Sequence, residues 1–250
     1  MSLSFSFNHN RFSLKSVRLP SRYFYFKEGE NYIKLLTVGE GLFPKDRLNT
    51  TVKLCDSTLV LASESATKIY PSNGAFACNR FELKLTEGSN VEYINDELIL
   101  FDHAKFIQFF RLDFDESSTF FYADILSQGR SFEHYGFTRL MVRNAFTMNG
   151  ILEYCEKSDM DGMSFQSYLL RRNNAQAIVA KLYIRSLDFE GLCKGLEEES
   201  IYAYAFSQNK QMVIVVLIGE KISQLKADIA RAWRVYRQGM GKKEFDLGKQ

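Results

Sequence analysis

The chain has 250 residues, of which 46% are hydrophobic and 25% are charged. A chain of this length and composition can bury a sizeable core, which excludes an intrinsically disordered protein. The net charge of +2 is too small to indicate a nucleic-acid partner. No apolar run approaches the roughly 18 to 20 residues that a membrane span requires, so a membrane-spanning helix is excluded as well.

The cysteines and the first residues indicate the compartment. Four cysteines occur without Cys-x-x-Cys spacing, at Cys55, Cys78, Cys155 and Cys193. Residues 1–7 alternate polar and apolar side chains and lack the basic region of an export signal. We therefore expect reduced thiols and a cytoplasmic protein.

The β-rich part of the chain is marked by regularly spaced turns. Phe and Tyr occur 22 and 13 times, which favours strands over helices. Turn residues recur about 30 residues apart, at Asp56-Ser57, Glu87-Gly88-Ser89, Asp115-Glu116-Ser117-Ser118 and Met148-Asn149-Gly150. A repeat of this length is typical of solenoids, in which each unit buries its face against the next. The pattern predicts a mainly β fold, a β-helix-like or solenoid-like stack of strands, with a regular β-sandwich as the alternative.

A helix is predicted at the end of the chain, over about residues 222–237. Apolar residues recur there every three or four positions, at Ile222, Leu225, Ile229, Trp233 and Tyr236. Such spacing forms one apolar stripe along a helix, so Trp233 is expected to be buried. We predict one domain over residues 1–250, with a β-rich body over 1–218 closed by this helix. Before it, residues 188–198 predict a short helix and residues 159–163 a loop.

The chemistry-bearing residues are carboxylates inside otherwise apolar segments. They are Glu64, Glu92, Glu97, Asp102 and Asp124. The sequence has no Gly-x-Ser-x-Gly elbow and no clustered Cys and His residues, which argues against a hydrolytic triad or a structural zinc site. Because an unpaired buried charge is costly, each carboxylate needs a partner or a role.

Three interpretations of these carboxylates remain open. Each carboxylate can pair with a basic neighbour such as Lys68, Lys105 or Arg130. Two carboxylates across a cleft can hydrolyse a glycoside, as in a β-solenoid carbohydrate-active enzyme. Carboxylates along a wet channel can instead pass a divalent cation from site to site through weak oxygen ligation.

Four segments occur in a distinctive order. They are a Gly-rich loop ending in Asp46 with Arg47-Leu48 behind it, Ala66-Thr67-Lys68-Ile69-Tyr70, Glu92-Tyr93 leading to Ile99-Leu100-Phe101-Asp102-His103-Ala104, and Asp124-Ile125-Leu126 with Gly129-Arg130. In this order they resemble the UreD (UreH) family of urease accessory proteins, and Trp233–Arg237 resembles the family's final helix. The chain departs from the family pattern where Pro44-Lys45 stands for Gly-Gly, Glu64 for Gln, and Asn95-Asp96 for Pro-Gln.

The resemblance implies a non-enzymatic scaffold with a β-helix-like fold. Such a protein would join UreF and the GTPase UreG, dock on apo-urease and help deliver nickel, with neither nucleic acid nor a membrane as a partner. It would hold no cofactor tightly, since nickel would be in transit and GTP would be bound by UreG. We predict that a wet nickel route draws on Asp46, Glu64, Glu92, Asp102 and Asp124. Structural or interaction roles are predicted for Lys68, Tyr70, Gly129, Arg130 and Trp233.

Overall fold

The computed structural model describes residues 2–27, 29–129, 134–173 and 177–248. Within these ranges the chain forms sixteen strands and three helices. The strands are β1 Leu3–Asn8, β2 Arg11–Val17, β3 Ser21–Phe26, β4 Tyr32–Thr37, β5 Arg47–Cys55, β6 Thr58–Ser63, β7 Thr67–Ile69, β8 Ala77–Thr86, β9 Asn90–Leu100, β10 Lys105–Phe114, β11 Thr119–Ser127, β12 Arg139–Met148, β13 Ile151–Met160, β14 Ile178–Arg185, β15 Tyr204–Phe206 and β16 Val213–Gly219. The helices are α1 Gly162–Leu170, α2 Phe189–Glu198 and α3 Ile222–Gly239.

The strands form two sheets that face each other. The seven-stranded sheet has the order β13-β12-β10-β8-β5-β1-β2, and the nine-stranded sheet has the order β15-β16-β14-β11-β9-β6-β4-β3 with β7 paired to β9. From β5 to β12 the chain alternates between the sheets, so β5, β8, β10 and β12 stack in parallel in one sheet and β6, β9 and β11 in the other. This arrangement confirms the predicted mainly β, solenoid-like stack closed by a C-terminal helix.

The predicted turns account for the stacking. The turns at 56–57, 87–89 and 115–118 lie where the chain crosses from one sheet to the other, and each bonds to the next. The Glu87 amide donates to Asp115 Oδ2 at 2.6 Å, and the Gly88 amide donates to Ser117 Oγ at 2.9 Å. The turn at 149–150 differs, because β12 and β13 pair antiparallel and it closes a hairpin within one sheet.

Aromatic rings fill the space between the sheets near these turns. Phe81 stacks on Tyr93 with 4.8 Å between ring centroids, and Phe110 stacks on Tyr122 at 3.9 Å. Tyr122 in turn stacks on Tyr183 at 5.6 Å. Stacked rings on successive coils bury large apolar areas, which explains why the sequence uses so many Phe and Tyr residues.

Helix α3 packs on the outer face of the nine-stranded sheet. It begins at Ile222 as predicted and ends at Gly239, two residues beyond the predicted end. The predicted stripe faces the sheet, and Trp233 is 7% exposed, which confirms its burial. Helix α2 lies beside α3 and begins after Asp188, whose carboxylate accepts from the Gly191 amide at 2.9 Å. The short helix predicted at 188–198 is therefore confirmed.

The loop predicted at residues 159–163 is wrong. Strand β13 continues to Met160, and α1 begins at Gly162 with Asp161 as its N-cap. Asp161 Oδ1 accepts from the Ser164 amide at 2.8 Å, which is what an N-cap carboxylate does. A Cβ at position 162 would lie 1.8 Å from the Tyr135 carbonyl oxygen, so glycine is required there for packing.

In the described part of the chain, the helices are too short or too polar to cross a bilayer.

Candidate functional site

A cavity of about 570 Å³ lies between the two sheets, at the strand ends away from the stacked turns. Both sheets supply its polar lining, with Asn79 on β8 and Gln108 on β10 from one sheet and Asn95 on β9 and Asp124 on β11 from the other. These side chains occupy positions that aromatic rings fill nearer the turns. The interior of the stack is therefore polar and open at this end.

A β-bulge shapes the floor of the cavity. Strands β9 and β11 pair Ala123 with Ile94 and Ile125 with Glu97, so Asn95 and Asp96 together oppose Asp124 alone. The extra residue in β9 bends the strand and re-aims its side chains, as bulges do beside many functional sites. The bulge is held by the Asp96 amide, which donates to Ser63 Oγ at 2.6 Å.

Asp124 is a carboxylate of the cavity wall whose pKa is shifted by its surroundings. Burial raises the pKa of Asp124, and the charge of Glu156 raises it further. Hydrogen bonds from Gln108 and Tyr122 and the charge of Lys181 lower the pKa without cancelling the rise. The Gln108 amide donates to Asp124 Oδ2 at 2.6 Å. Asp124 is thus a carboxylate with a shifted pKa in the wall of a cavity, and such residues are typical of functional sites.

Asp96 connects the cavity to helix α3. Lys226 of α3 lies 3.1 Å from Asp96 Oδ1 and 2.9 Å from Glu97 Oε1. Burial lowers the pKa of Lys226, but the bonds to Glu97 and Asp96 outweigh it and raise the pKa overall. Asp96 is 8% exposed and is held by a lysine on the far side of the strand from the aromatic core.

The Gly-rich loop and the segment 66–70 meet at the wall of the cavity. The Leu42 amide donates to the Lys68 carbonyl at 2.8 Å, and the Tyr70 hydroxyl donates to Glu40 Oε2 at 3.2 Å. Gly41 has a φ of 153°, and a Cβ there would lie 2.4 Å from the Lys68 carbonyl oxygen. The loop therefore needs glycine at this point to approach β7, and the two family-like segments form one wall.

The structure separates the five carboxylates that were predicted to form the nickel route. Asp124 alone among them lines this cavity. Asp46 accepts from the Phe43 amide at 2.9 Å and shapes its own loop. Glu64 is exposed and pairs with Lys34 at 3.1 Å. Asp102 is also exposed. This separation gives no support to a pair of these carboxylates facing each other across a cleft.

Glu92 lies on the opposite side of the nine-stranded sheet, under α3. It has 0% exposure, and its carboxylate accepts from Trp233 Nε1 at 2.7 Å, Arg237 Nη1 at 2.5 Å and Lys242 Nζ at 2.7 Å. Glu30 completes this cluster through an ion pair with Arg237. Glu92 therefore pairs with basic residues, which is one of the three interpretations of the carboxylates. Its basic partners come from the end of the chain and not from its sequence neighbours.

The residues after α3 cover this cluster. The Leu247 carbonyl accepts from the Tyr32 hydroxyl at 2.8 Å, and the Lys243 carbonyl accepts from Arg237 Nε at 2.6 Å. The Phe245 ring lies 5.2 Å from the Tyr32 ring. Glu92 therefore binds β9, α3 and the C-terminal segment into one unit.

The other predicted residues have varied positions. Lys68 and Tyr70 line the cavity, and Trp233 lies on the face of α3 that packs on the sheet. Gly129 is partly buried at the end of the described segment, and Arg130 lies outside the described residues. Among the residues that the structure describes, no group of three or more His, Cys, Asp or Glu side chains is arranged to hold a metal ion.

Sequence reasoning missed Gln108, although a signal for it exists. In β10 the residues that face the core are apolar at Phe106, Phe110 and Leu112, and Gln108 occupies the same face. A polar residue at an inward position of a strand needs a partner inside, and here that partner is Asp124.

Comparison with known proteins identifies similar sequences along nearly the whole chain. The family described as UreD urease accessory protein matches residues 13–247. A urease accessory protein UreD from Aliarcobacter butzleri (strain RM4018) is 42% identical over 250 residues, which is 100% of each chain. Another from Staphylococcus aureus (strain bovine RF122 / ET3-1) is 39% identical over 100 residues, or 39% of this chain and 35% of the relative. A third, from Staphylococcus epidermidis (strain ATCC 12228 / FDA PCI 1200), is 26% identical over 174 residues, or 62% and 63% of the two chains.

Proposed function

The chain belongs to the UreD family of urease accessory proteins, and from this premise we propose that it is a non-catalytic scaffold in the assembly of the urease metallocentre. In this proposal it joins homologues of UreF and of the GTPase UreG, docks on apo-urease and helps deliver nickel. Nickel is cargo in transit, and GTP is bound by the UreG homologue.

The observation that carries the proposal is the polar cavity between the sheets. Asp124 supplies a carboxylate to its wall, and Gln108 and Asn79 supply amide groups. Such groups bind a divalent cation weakly, which suits a protein that must release the ion again. Asp124 belongs to a family-like segment, so the proposed nickel route runs through this cavity and not through the surface carboxylates Glu64 and Asp102.

We further propose that the protein acts in the cytoplasm. The four cysteines are free thiols, which fits a reducing compartment.

Reconstituted urease activation tests the function. The chain is purified with UreF and UreG homologues, mixed with apo-urease, nickel and GTP, and urease activity is followed over time. We expect activation with the chain and little without it. Activation at the same rate and yield in the absence of the chain contradicts the scaffold role.

A filled cavity tests the route. Asn79 faces inward on β8 and lines the cavity, whereas Lys84 on the same strand is exposed on the outer face. Asn79→Trp places an indole ring in the cavity, and Lys84→Trp adds the same ring outside. We expect the first variant to form the complex but to activate urease slowly, and the second to behave as wild type. Normal activation by a folded Asn79→Trp variant contradicts the cavity route and leaves the scaffold role standing.

A further inference from the structure

A second, smaller cavity of about 90 Å³ follows the larger one along the axis of the stack. Its walls come from later coils, including β12, β13 and β14, and from α1. Leu98, Gln108 and Asp124 line both cavities. The hydrogen bond between Gln108 and Asp124 is thus part of the partition between two successive compartments.

Asn144 places an unused acceptor at the smaller cavity. Tyr183 donates its only hydroxyl proton to Glu156 Oε2 at 2.6 Å, so this hydroxyl can only accept from Asn144. Asn144 Nδ2 accordingly donates to Tyr183 at 2.9 Å, which fixes the orientation of the amide. Asn144 is 2% exposed, lines the cavity, and its Oδ1 accepts no hydrogen bond from the described residues. A buried acceptor of this kind indicates that something else occupies the space beside it.

The charges around the cavity are unequal. Asp124 and Glu156 contribute two carboxylates, and Lys181 contributes the one ammonium group among the described lining residues. Lys181 Nζ bonds to Glu156 Oε1, and the Lys181 side chain is 37% exposed while that of Glu156 is 14% exposed. With both carboxylates ionised, the cavity wall carries one negative charge in excess and has an exposed lysine at its edge.

We propose that the smaller cavity is a holding site for a partly dehydrated divalent cation, with Asp124, Glu156 and Asn144 Oδ1 as its oxygen ligands. The proposal rests on the proposed function, because it assigns a place at which the transported ion pauses. Nickel reaches the site from the larger cavity when the bond between Gln108 and Asp124 opens. Lys181 then leaves Glu156 for the solvent, so the ion replaces an ammonium group at the carboxylate.

The size of the cavity sets the coordination. A water molecule takes about 30 Å³ in the liquid, so the cavity admits about three water-sized groups. Three such groups are fewer than the six waters of a hydrated divalent ion, so an ion held in this space exchanges part of its shell for protein oxygens. Two carboxylates and one amide oxygen are too few to hold nickel tightly, which keeps release possible.

The test uses the full-length chain without an affinity tag and Ni²⁺ alone. Binding is measured by calorimetry, and the ion is located by anomalous scattering from crystals soaked in Ni²⁺. We expect an anomalous peak in the smaller cavity. Glu156→Gln and Asn144→Leu, which keeps the branched shape of the side chain but removes its oxygen, should each weaken binding at least tenfold. Asn144→Asp should tighten it, and Glu82→Gln, which removes a partly exposed carboxylate on the outer face of β8, should leave it unchanged.

The outcomes separate this inference from the proposed function. Nickel bound only at surface groups, or equal affinity in wild type and a folded Asn144→Leu variant, overturns the holding site. Should Glu156→Gln fail to fold, the two Asn144 variants still decide the matter. Activation of urease by a chain that binds no nickel in this cavity overturns the site alone. Nickel in the cavity of a chain that supports no activation overturns the proposed function alone.

Discussion

The indole nitrogen of Trp233 donates to the carboxylate of Glu92 across 2.7 Å, and the two residues are 141 positions apart in the chain. Both side chains are buried between α3 and the nine-stranded sheet. The pair shows that the closing helix is attached to the body by a hydrogen bond to an ionised group as well as by apolar contact, and such bonds are stronger than neutral ones.

Substitutions of Trp233 should separate these two contributions. Trp233→Ala removes the ring and the donor, and we expect the free energy of unfolding to fall by about 3 to 5 kcal/mol. Trp233→Phe keeps an apolar ring but leaves Glu92 with one donor fewer, and we expect a smaller loss of about 1 to 3 kcal/mol. Urea unfolding followed by circular dichroism measures both. Equal losses in the two variants would show that the hydrogen bond contributes little.

Neutralising Glu92 should be more damaging than neutralising a surface carboxylate. Glu92→Gln removes the buried carboxylate that pairs with Arg237 and Lys242 and leaves them only the partly exposed Glu30 among the described residues, so we expect a loss of about 3 to 5 kcal/mol. The matched variant Glu64→Gln removes the ion pair between an exposed carboxylate and Lys34, for which we expect at most about 1 kcal/mol. Thermal unfolding of both variants makes the comparison, and a mild effect of Glu92→Gln would contradict a buried ionic cluster.

Asp124→Asn should lower function without lowering stability. Burial raises the pKa of Asp124 in the folded protein, so folding becomes less favourable as pH rises from the unfolded pKa of this group to the folded one. Asparagine removes that penalty and still accepts from Gln108, so the variant should be as stable as wild type at neutral pH, or more stable. Urease activation should fall, because the cavity loses its carboxylate. A variant that unfolds easily would instead assign Asp124 a structural role.

The turn carboxylate Asp115 should give the protein part of its acid sensitivity. Burial alone would raise the pKa of Asp115, but bonds from Ser118, Ser117 and the Glu87 amide outweigh burial and lower it. A lowered pKa contributes stability that is present above the unfolded value of about 3.9 and is lost as pH falls through the folded value.

Asp115→Asn should therefore be less stable than wild type above about pH 4, and the difference should shrink in more acidic solution. Urea titrations over a pH series measure this, with Glu82→Gln as a control for the change in net charge. A difference that stays constant down to acidic pH would show that the Asp115 charge does not support the stacked turns.

The sequence predicted features that are governed by local patterns. The alternation of polar and apolar residues predicted the strands, and the apolar stripe from Ile222 to Tyr236 predicted α3. Both predictions work because the residues on the buried face of an element recur with the period of that element. The 30-residue spacing of turns anticipated the stack, since each crossing between sheets needs its own turn. Helix α1 was missed because Asp161-Gly162 reads equally well as a turn or as a helix N-cap.

The candidate site depended on contacts that no local pattern contains. The bulge at Asn95 and Asp96 is visible only once β9 is paired with β11. Glu92 was grouped with Asp124 because both interrupt apolar strands, yet their side chains face opposite sides of the same sheet. Which side a carboxylate faces, and whether its partner is Gln108 or Arg237, is decided by packing between residues far apart in sequence.

The ionic cluster under α3 also constrains how the chain is made. Glu92 is synthesised long before Arg237 and Lys242, which are its cations in the folded protein. Until the ribosome has released those residues, a nascent chain that forms β9 within its sheet holds a carboxylate with neither counter-ion. Without α3 the outer face of the nine-stranded sheet is uncovered, so this carboxylate stays hydrated and the apolar residues around it stay exposed. A ribosome that stalls before residue 237 therefore leaves a body that chaperones and proteases can recognise as incomplete.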